Sequence, residues 1–169
     1  MMTQLRPALV SLLFLTVLTG VLYPLAVTGV AQLTMAYQAN GSLVEVAGQV
    51  RGSELIGQPF GDPGHFWGRL SATAPFPYNA AASSGSNHGP LSDALVEASR
   101  ARIDALHAAE PASARLVPVD LVTASASGLD PHVSPAAAAC QVARVARARG
   151  LGEDVVRRLV AQHTEGRTF

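Results

Sequence analysis

Between Arg6 and Glu45 the chain carries no charged side chain, and from Glu45 onward charges recur every few residues. A bilayer hydrocarbon core of roughly 30 Å needs about 20 apolar residues in a helix. Ala8 to Val30 supplies them, most densely from Leu9 to Leu22. Leucine, valine and phenylalanine each favour insertion by about 0.3–0.6 kcal/mol near a helix centre, so the segment sums to several kcal/mol. The pattern predicts a short N-terminus (residues 1–7), a membrane helix (8–31), a juxtamembrane linker (32–42) and a water-facing domain (43–169). A cleavable leader is the first rival, with Arg6 as its basic start and Gly29-Val30-Ala31 as a small-x-small site. The apolar run exceeds the ~7–15 residues of a leader core, which argues against it. A buried core helix is the second rival, and seldom needs so long an uncharged stretch. Gly20 and Pro24 are compatible with a span, because neighbouring helices re-satisfy freed backbone groups.

Basic residues set the expected orientation. Arg6 lies on the short side, and the first basic residue beyond the helix is Arg51. The positive-inside tendency places the N-terminus in the cytoplasm and the large domain outside. Thr16, Thr19, Gly20 and Tyr23 fall on one stripe of the helix. Small and hydroxylated residues there let another helix approach closely and bond across, so this face is the candidate partner contact. The plainer reading is that Thr and Gly are merely tolerated.

Charge and composition remove several function classes. Formal net charge is zero across 169 residues, which gives no basic footprint for nucleic acid. All twelve basic residues are arginine. Without lysine there is no P-loop ending in GK[ST] and no Schiff-base lysine. The single cysteine, Cys140, excludes an intrachain disulfide and reads as a small buried side chain on a helix.

The water-facing part reads as α+β, with two or three short strands and about three helices. Leu43, Val44, Val46 and Val50 suggest strand, with Gly48 at a turn or bulge, and Gly52 to Phe60 continues as strand and turn. Asp62 to Pro90 is rich in Pro, Gly, Ser, Asn and Ala and predicts a long irregular segment, with Phe66, Trp67, Phe76 and Tyr78 arguing for order. Leu91 to Ala109 reads as a helix with Leu95, Ala98, Ile103 and Leu106 as its stripe and an Arg100–Asp104 pair at i, i+4, ending at Pro111. Leu116 to Val122 reads as a strand, and Thr123 to Pro131 as a small-residue loop. Ser134 caps a helix with Pro135 in its first turn, ending at Gly150. A last helix, about Glu153 to His163, places Leu151, Val155, Val156, Leu159 and Val160 on one face.

Chemistry is sparse. His65, His88, His107, His132 and His163 show no HxxxH or HExxH spacing, and there is no CxxC, so no metal site is expected. Ser83-Ser84-Gly85-Ser86-Asn87 and Thr123-Ala124-Ser125-Ala126-Ser127-Gly128 could each form a nest of backbone N–H groups for an anion, but neither is followed by a basic residue. Ordinary turn chemistry is the alternative. The G-x-S-x-G elbow is absent. A Ser127, His132, Asp130 set can be written down, and a membrane-tethered serine hydrolase using Ser127 or Ser84 is the enzymatic alternative. A stand-alone anchored binding module is the third. Residue chemistry alone points to an accessory or assembly subunit.

Four ordered motifs then carry a resemblance: Gly52-Ser53-Glu54-Leu55-Ile56-Gly57-Gln58-Pro59-Phe60; Phe66-Trp67-Gly68-Arg69; Tyr78-Asn79 with Ser83 to Asn87; and Asp120 to Pro135. Together with the single N-terminal span they resemble the C-subunit family of the Kdp potassium-transporting P-type ATPases (KdpC). Leu70, His88 and Cys140 depart from the usual family residues. The resemblance implies a non-catalytic accessory subunit in the bacterial plasma membrane, partnered by a channel-like A subunit, an ATP-hydrolysing B subunit and a small F subunit. It also implies a catalytic chaperone that raises the ATP affinity of the B subunit, with ATP shared rather than held as its own cofactor. Should the chain touch nucleotide, Ser125, Ser127 and Gly128 form the candidate loop. An outward-facing domain sits awkwardly with that contact, since ATP is cytoplasmic.

Overall fold

The structure is a computed structural model describing residues 4–110 and 116–166. It divides into two compact units, with the boundary between Glu54 and Leu55.

The first unit is dominated by α1, Leu5–Thr34, with no residue buried between Leu5 and Val30. At 1.5 Å per residue its 30 residues reach about 45 Å, enough to cross a bilayer. The helix is α-helical over Leu5–Val17, widens into a π-turn over Leu18–Leu22, and returns to α-helix over Tyr23–Thr34. Pro24 explains the widening. It has no N–H for the Gly20 carbonyl, and its ring crowds that carbonyl, so the preceding turn opens. The Tyr23 N–H accordingly reaches back five residues to the Leu18 carbonyl.

Beyond α1 a single turn, α2 (Ala36–Ala39), leads to a hairpin. Gln32 and Asn40 close the corner through a reciprocal amide pair, 3.1 and 3.2 Å. Strands β1 (Leu43–Val46) and β2 (Gln49–Ser53) pair antiparallel, with Val46 opposite Gln49 and an irregularity between Val44 and Glu45. The turn residues Ala47 and Gly48 both have positive φ, +53° and +73°. That is the type I′ geometry whose twist matches a tight hairpin.

The second unit is built around α5, Pro135–Arg149, preceded by α3 (Asp93–Ala109) and one turn, α4 (Val119–Val122), and followed by α6 (Glu153–Gln162). Ser134 caps α5 as expected, its hydroxyl accepting the Ala137 N–H at 3.0 Å, and Gly150 ends the helix in the left-handed region. One half of the core joins Trp67, Leu106, Leu121 and Ala137; the other joins Val142, Val145, Ala146 and Val156, flanked by Phe66 and Val160.

Three expectations change. The strand over Leu116–Val122 is absent: Leu116 lies outside any regular element and is exposed, and Val119–Val122 is helical after Pro118. Proline's fixed φ starts the turn, and burying Leu121 completely outweighs the β-preference of three valines. Among the described residues the strands number two, and the only other pairing is an isolated bridge between Leu70 and Ala124. On α3, Ala98 is exposed, while Ser99 and Arg102 turn inward beside Leu106. Arg100 and Asp104 form no ion pair; Glu110 pairs with Arg147 instead, at 3.1 Å. Pro111 lies outside the described residues.

The segment from Asp62 to Pro90 is irregular, as its composition predicts, with only a 3-10 turn at Ala80–Ala82. It is ordered by side chains of α5. Gln141, 2% exposed, accepts the Trp67 N–H at 2.8 Å and donates to the Trp67 carbonyl at 3.1 Å. It therefore substitutes for a neighbouring strand. Arg144 donates to the Pro63 carbonyl and Arg149 to the Gly64 carbonyl. The Trp67 ring has guanidinium groups of both Arg102 and Arg144 against it, 5.1 and 4.7 Å from its centroid. Partly desolvated contacts of this kind stabilise by about 0.5–2 kcal/mol each. Burial lowers both guanidinium pKa values from their usual position.

Candidate functional site

The two small-residue loops singled out in the sequence meet in space. The Ser84 N–H donates to the Ser127 carbonyl at 3.0 Å, and the Ser83 hydroxyl donates to the same oxygen at 3.0 Å. Gly85 is required by this approach, because a Cβ there would lie 2.8 Å from the Ala126 carbonyl oxygen. Gly128, at φ +68°, passes still closer: a Cβ would stand 2.6 Å from Thr73 Cγ2 and 2.7 Å from the Ser84 carbonyl oxygen.

Ser71 and Thr73 tie a third loop into the same knot. The Ser71 hydroxyl donates to the Gly128 carbonyl at 2.7 Å and accepts the Tyr78 N–H at 2.9 Å. The Thr73 hydroxyl donates to the Phe76 carbonyl at 2.8 Å and accepts the Asn79 N–H at 3.0 Å. The Tyr78 phenol donates to the Arg69 carbonyl at 2.6 Å, and burial is the main cause of its raised pKa. The Ser71 and Thr73 hydroxyls, each both donating and accepting, replace the ladder a sheet would have supplied.

Arg69 and Asp130 form the charged side of the knot. Arg69 donates to Asp130 at 3.1 Å and to the Ala124 carbonyl at 3.3 Å. Asp130 also accepts the His132 N–H at 3.0 Å and lies 3.2 Å from His132 Nδ1. Burial pushes the Asp130 carboxyl up, but the His132 N–H, Arg69 and the His132 ring outweigh it and hold the group below the usual carboxylate range.

Each sequence candidate can now be placed. Ser125 is buried, its N–H on the Leu70 carbonyl at 3.1 Å and its hydroxyl unpartnered. The Ser127 hydroxyl accepts the Leu129 N–H at 3.2 Å, and the Ser84 hydroxyl donates to the Gly85 carbonyl at 3.2 Å. Neither serine hydrogen-bonds to His132, which is held by Asp130 instead. The hydrolase arrangement of nucleophile on base is not formed. The knot is built to hold loops, and its Arg69 guanidinium is spent on an internal carboxylate rather than offered to an anion. Sequence reasoning missed Ser71, Thr73 and Gln141. Their role depends on which backbone groups lack a partner, and spacing along the chain does not reveal that. His65 stacks on Phe60 at 4.8 Å, and Cys140 is half-buried.

In the first unit, Thr16, Thr19, Gly20 and Tyr23 are all exposed on α1. Space beside Gly20 is open within 4 Å of where a Cβ would be. The Thr19 hydroxyl donates to the Leu15 carbonyl at 2.7 Å.

Comparison with known proteins gives one consistent result. The profile of the KdpC family, described as K+-transporting ATPase, c chain, matches residues 5–169. A potassium-transporting ATPase KdpC subunit of Herpetosiphon aurantiacus is 65% identical over all of this chain, which covers 88% of that protein. The same-named subunit of Polaromonas naphthalenivorans is 68% identical over 95% of this chain and 82% of its own length. That of Methylococcus capsulatus is 61% identical over the whole chain and 89% of its own length. Three of the four sequence motifs supply residues of the loop knot, and with the exposed apolar helix and these matches they make the chain a member of the KdpC family, the c chain of the potassium-transporting ATPase.

Proposed function

We propose that this chain is a non-catalytic subunit that anchors and stabilises the potassium-import complex and, once assembled, raises the ATP affinity of its ATP-hydrolysing subunit. The observation that carries the reading is α1, a 30-residue apolar helix without one buried residue from Leu5 to Val30. Among the described residues no second helix is long and apolar enough to pack beside it in a bilayer, so lipid and partner helices are its surroundings. We place the N-terminus in the cytoplasm and the second unit outside. The partners are the channel-like A subunit, the ATP-hydrolysing B subunit and the small F subunit, met through the Thr16, Thr19, Gly20 and Tyr23 face.

The ATP effect runs through subunit contacts in this reading, since an outer domain does not share a compartment with the nucleotide. Ser125, Ser127 and Gly128 are the positions at which direct contact would be sought. Their carbonyls accept hydrogen bonds within the loop knot and the unpartnered Ser125 hydroxyl is buried, which favours an indirect effect.

Replacing Gly20 with leucine fills the open space that a partner helix would use. The expected result is at least a several-fold loss of the other subunits on affinity purification from membranes. Full recovery of the complex with Gly20→Leu would remove this face from the reading.

A further inference from the structure

The π-turn in α1 shifts the backbone register so that carbonyls beside it lose their usual helical donor. Inside a helix each carbonyl has one N–H to accept, and Pro24 removes one donor from the count. Tyr23 gives its N–H to Leu18, and the α-helical donors of the Thr19 and Gly20 carbonyls would be Tyr23 and Pro24, so by register the shortfall falls on these two carbonyls. Serine and threonine hydroxyls often repair such a gap from within the helix. Here the neighbouring hydroxyl is already used: Thr19 donates to Leu15 at 2.7 Å. Among the described residues no side chain donates to the Thr19 or Gly20 carbonyl. The Thr19 hydroxyl oxygen, its one hydrogen directed at Leu15, keeps lone pairs and is a further acceptor at the same level.

Approach to this point is open. Beyond the helix's own neighbouring backbone, no heavy atom lies within 4 Å of a Cβ position at Gly20, and Pro24, one turn on, carries no N–H to compete. The π-turn lies near the middle of the apolar segment, in the depth of the bilayer where water is not available to bond it.

We propose that the Thr19–Gly20 turn is an acceptor site for a partner transmembrane helix that brings a hydrogen-bond donor to mid-bilayer. The donor is a hydroxyl, side-chain amide or indole N–H. This rests on the proposed packing face and gives its chemistry: the alignment is set by one polar contact as well as by close approach. A purely apolar neighbour would leave the carbonyl unpaired in hydrocarbon, at a cost comparable to a lost hydrogen bond.

The test reads the carbonyls directly. The Gly-Val dipeptide occurs only at Gly20-Val21 and Gly29-Val30, and Thr-Gly only at Thr19-Gly20 and Thr28-Gly29. Chain labelled with carbonyl-13C glycine and 15N valine, or carbonyl-13C threonine and 15N glycine, gives one test signal and one internal control in each case. Solid-state NMR would compare the full chain alone in lipid with the chain in the assembled complex. Accepting a new hydrogen bond moves a carbonyl carbon downfield. The Thr19 or Gly20 carbonyl should shift downfield on assembly, while the Thr28 and Gly29 carbonyls stay fixed. The full-length Pro24→Ala chain, in which the missing N–H is restored, should already show the shifted position without partners. Unmoved Thr19 and Gly20 signals in a complex that Gly20→Leu still disrupts would overturn the acceptor proposal and leave the packing face standing. Assembly indifferent to Gly20→Leu would instead remove the face itself.

Discussion

Gly128 concentrates the local demands of the loop knot. Its φ of +68° is costly for any residue with a Cβ, and the space a Cβ would need is held by Thr73 and the Ser84 backbone. Gly150 has nearly the same φ, +65°, but open space around it. Replacing Gly150 with alanine should cost about 1 kcal/mol, the conformational part alone. Replacing Gly128 with alanine should cost roughly 2–4 kcal/mol, because overpacking adds to it. Denaturant melts of the two variants would measure the difference; equal costs would mean the knot yields freely at Gly128. Asp130 makes a prediction in pH. Its folded pKa is depressed, so its contribution is present above the ordinary carboxylate value of about 3.9 and is lost as pH falls through the lower folded value. Wild type should therefore be more stable than Asp130→Asn at neutral pH, and the gap should close below about pH 4. A gap that persists under those conditions would point to packing rather than charge.

Among the elements, α5 organises the second unit, and its start is fixed twice. Ser134 caps the helix, and Asp120 accepts both the Ser134 N–H, at 2.8 Å, and its hydroxyl, at 3.1 Å. Ser134→Ala keeps the backbone contact and loses the cap, so it should destabilise by about 1 kcal/mol. A calorimetric melt with an unchanged midpoint would contradict the cap's role. This helix was legible in advance, because Ser-Pro before an apolar run and Gly after a basic one are local signals. The apolar span was legible for the same reason, its length and lack of charge being properties of the sequence itself. The Leu116–Val122 segment was not. Three valines favour a strand, but the decision rested on where Leu121 could be buried, which only the tertiary contacts determine. The loop knot was half legible. Its serines and glycines stood out, yet their composition suits an anion nest and a turn lattice equally, and Ser71 and Thr73 gave no separate signal.

At the scale of the whole molecule, the chain comprises one unit built on an apolar helix and a second unit whose irregular segment is fastened to its helices by arginine and glutamine side chains. Orientation is its largest testable property. With Cys140 replaced by alanine and an introduced cysteine at exposed Asp154, an impermeant thiol reagent should label intact cells. Protection until the membrane is opened would reverse the topology. Arginine, never lysine, fastens the second unit, and the planar guanidinium suits both jobs it does here: forked bonding to carbonyls and flat contact with an indole. That indole is the chain's only tryptophan, 7% exposed and with two guanidinium groups against it. The chain thus carries a single tryptophan fluorophore, excitable apart from its tyrosines, at the seam between the irregular segment and the helices. Its emission colour reports whether that seam is closed, and a redward drift on warming would time the seam's opening without any added dye.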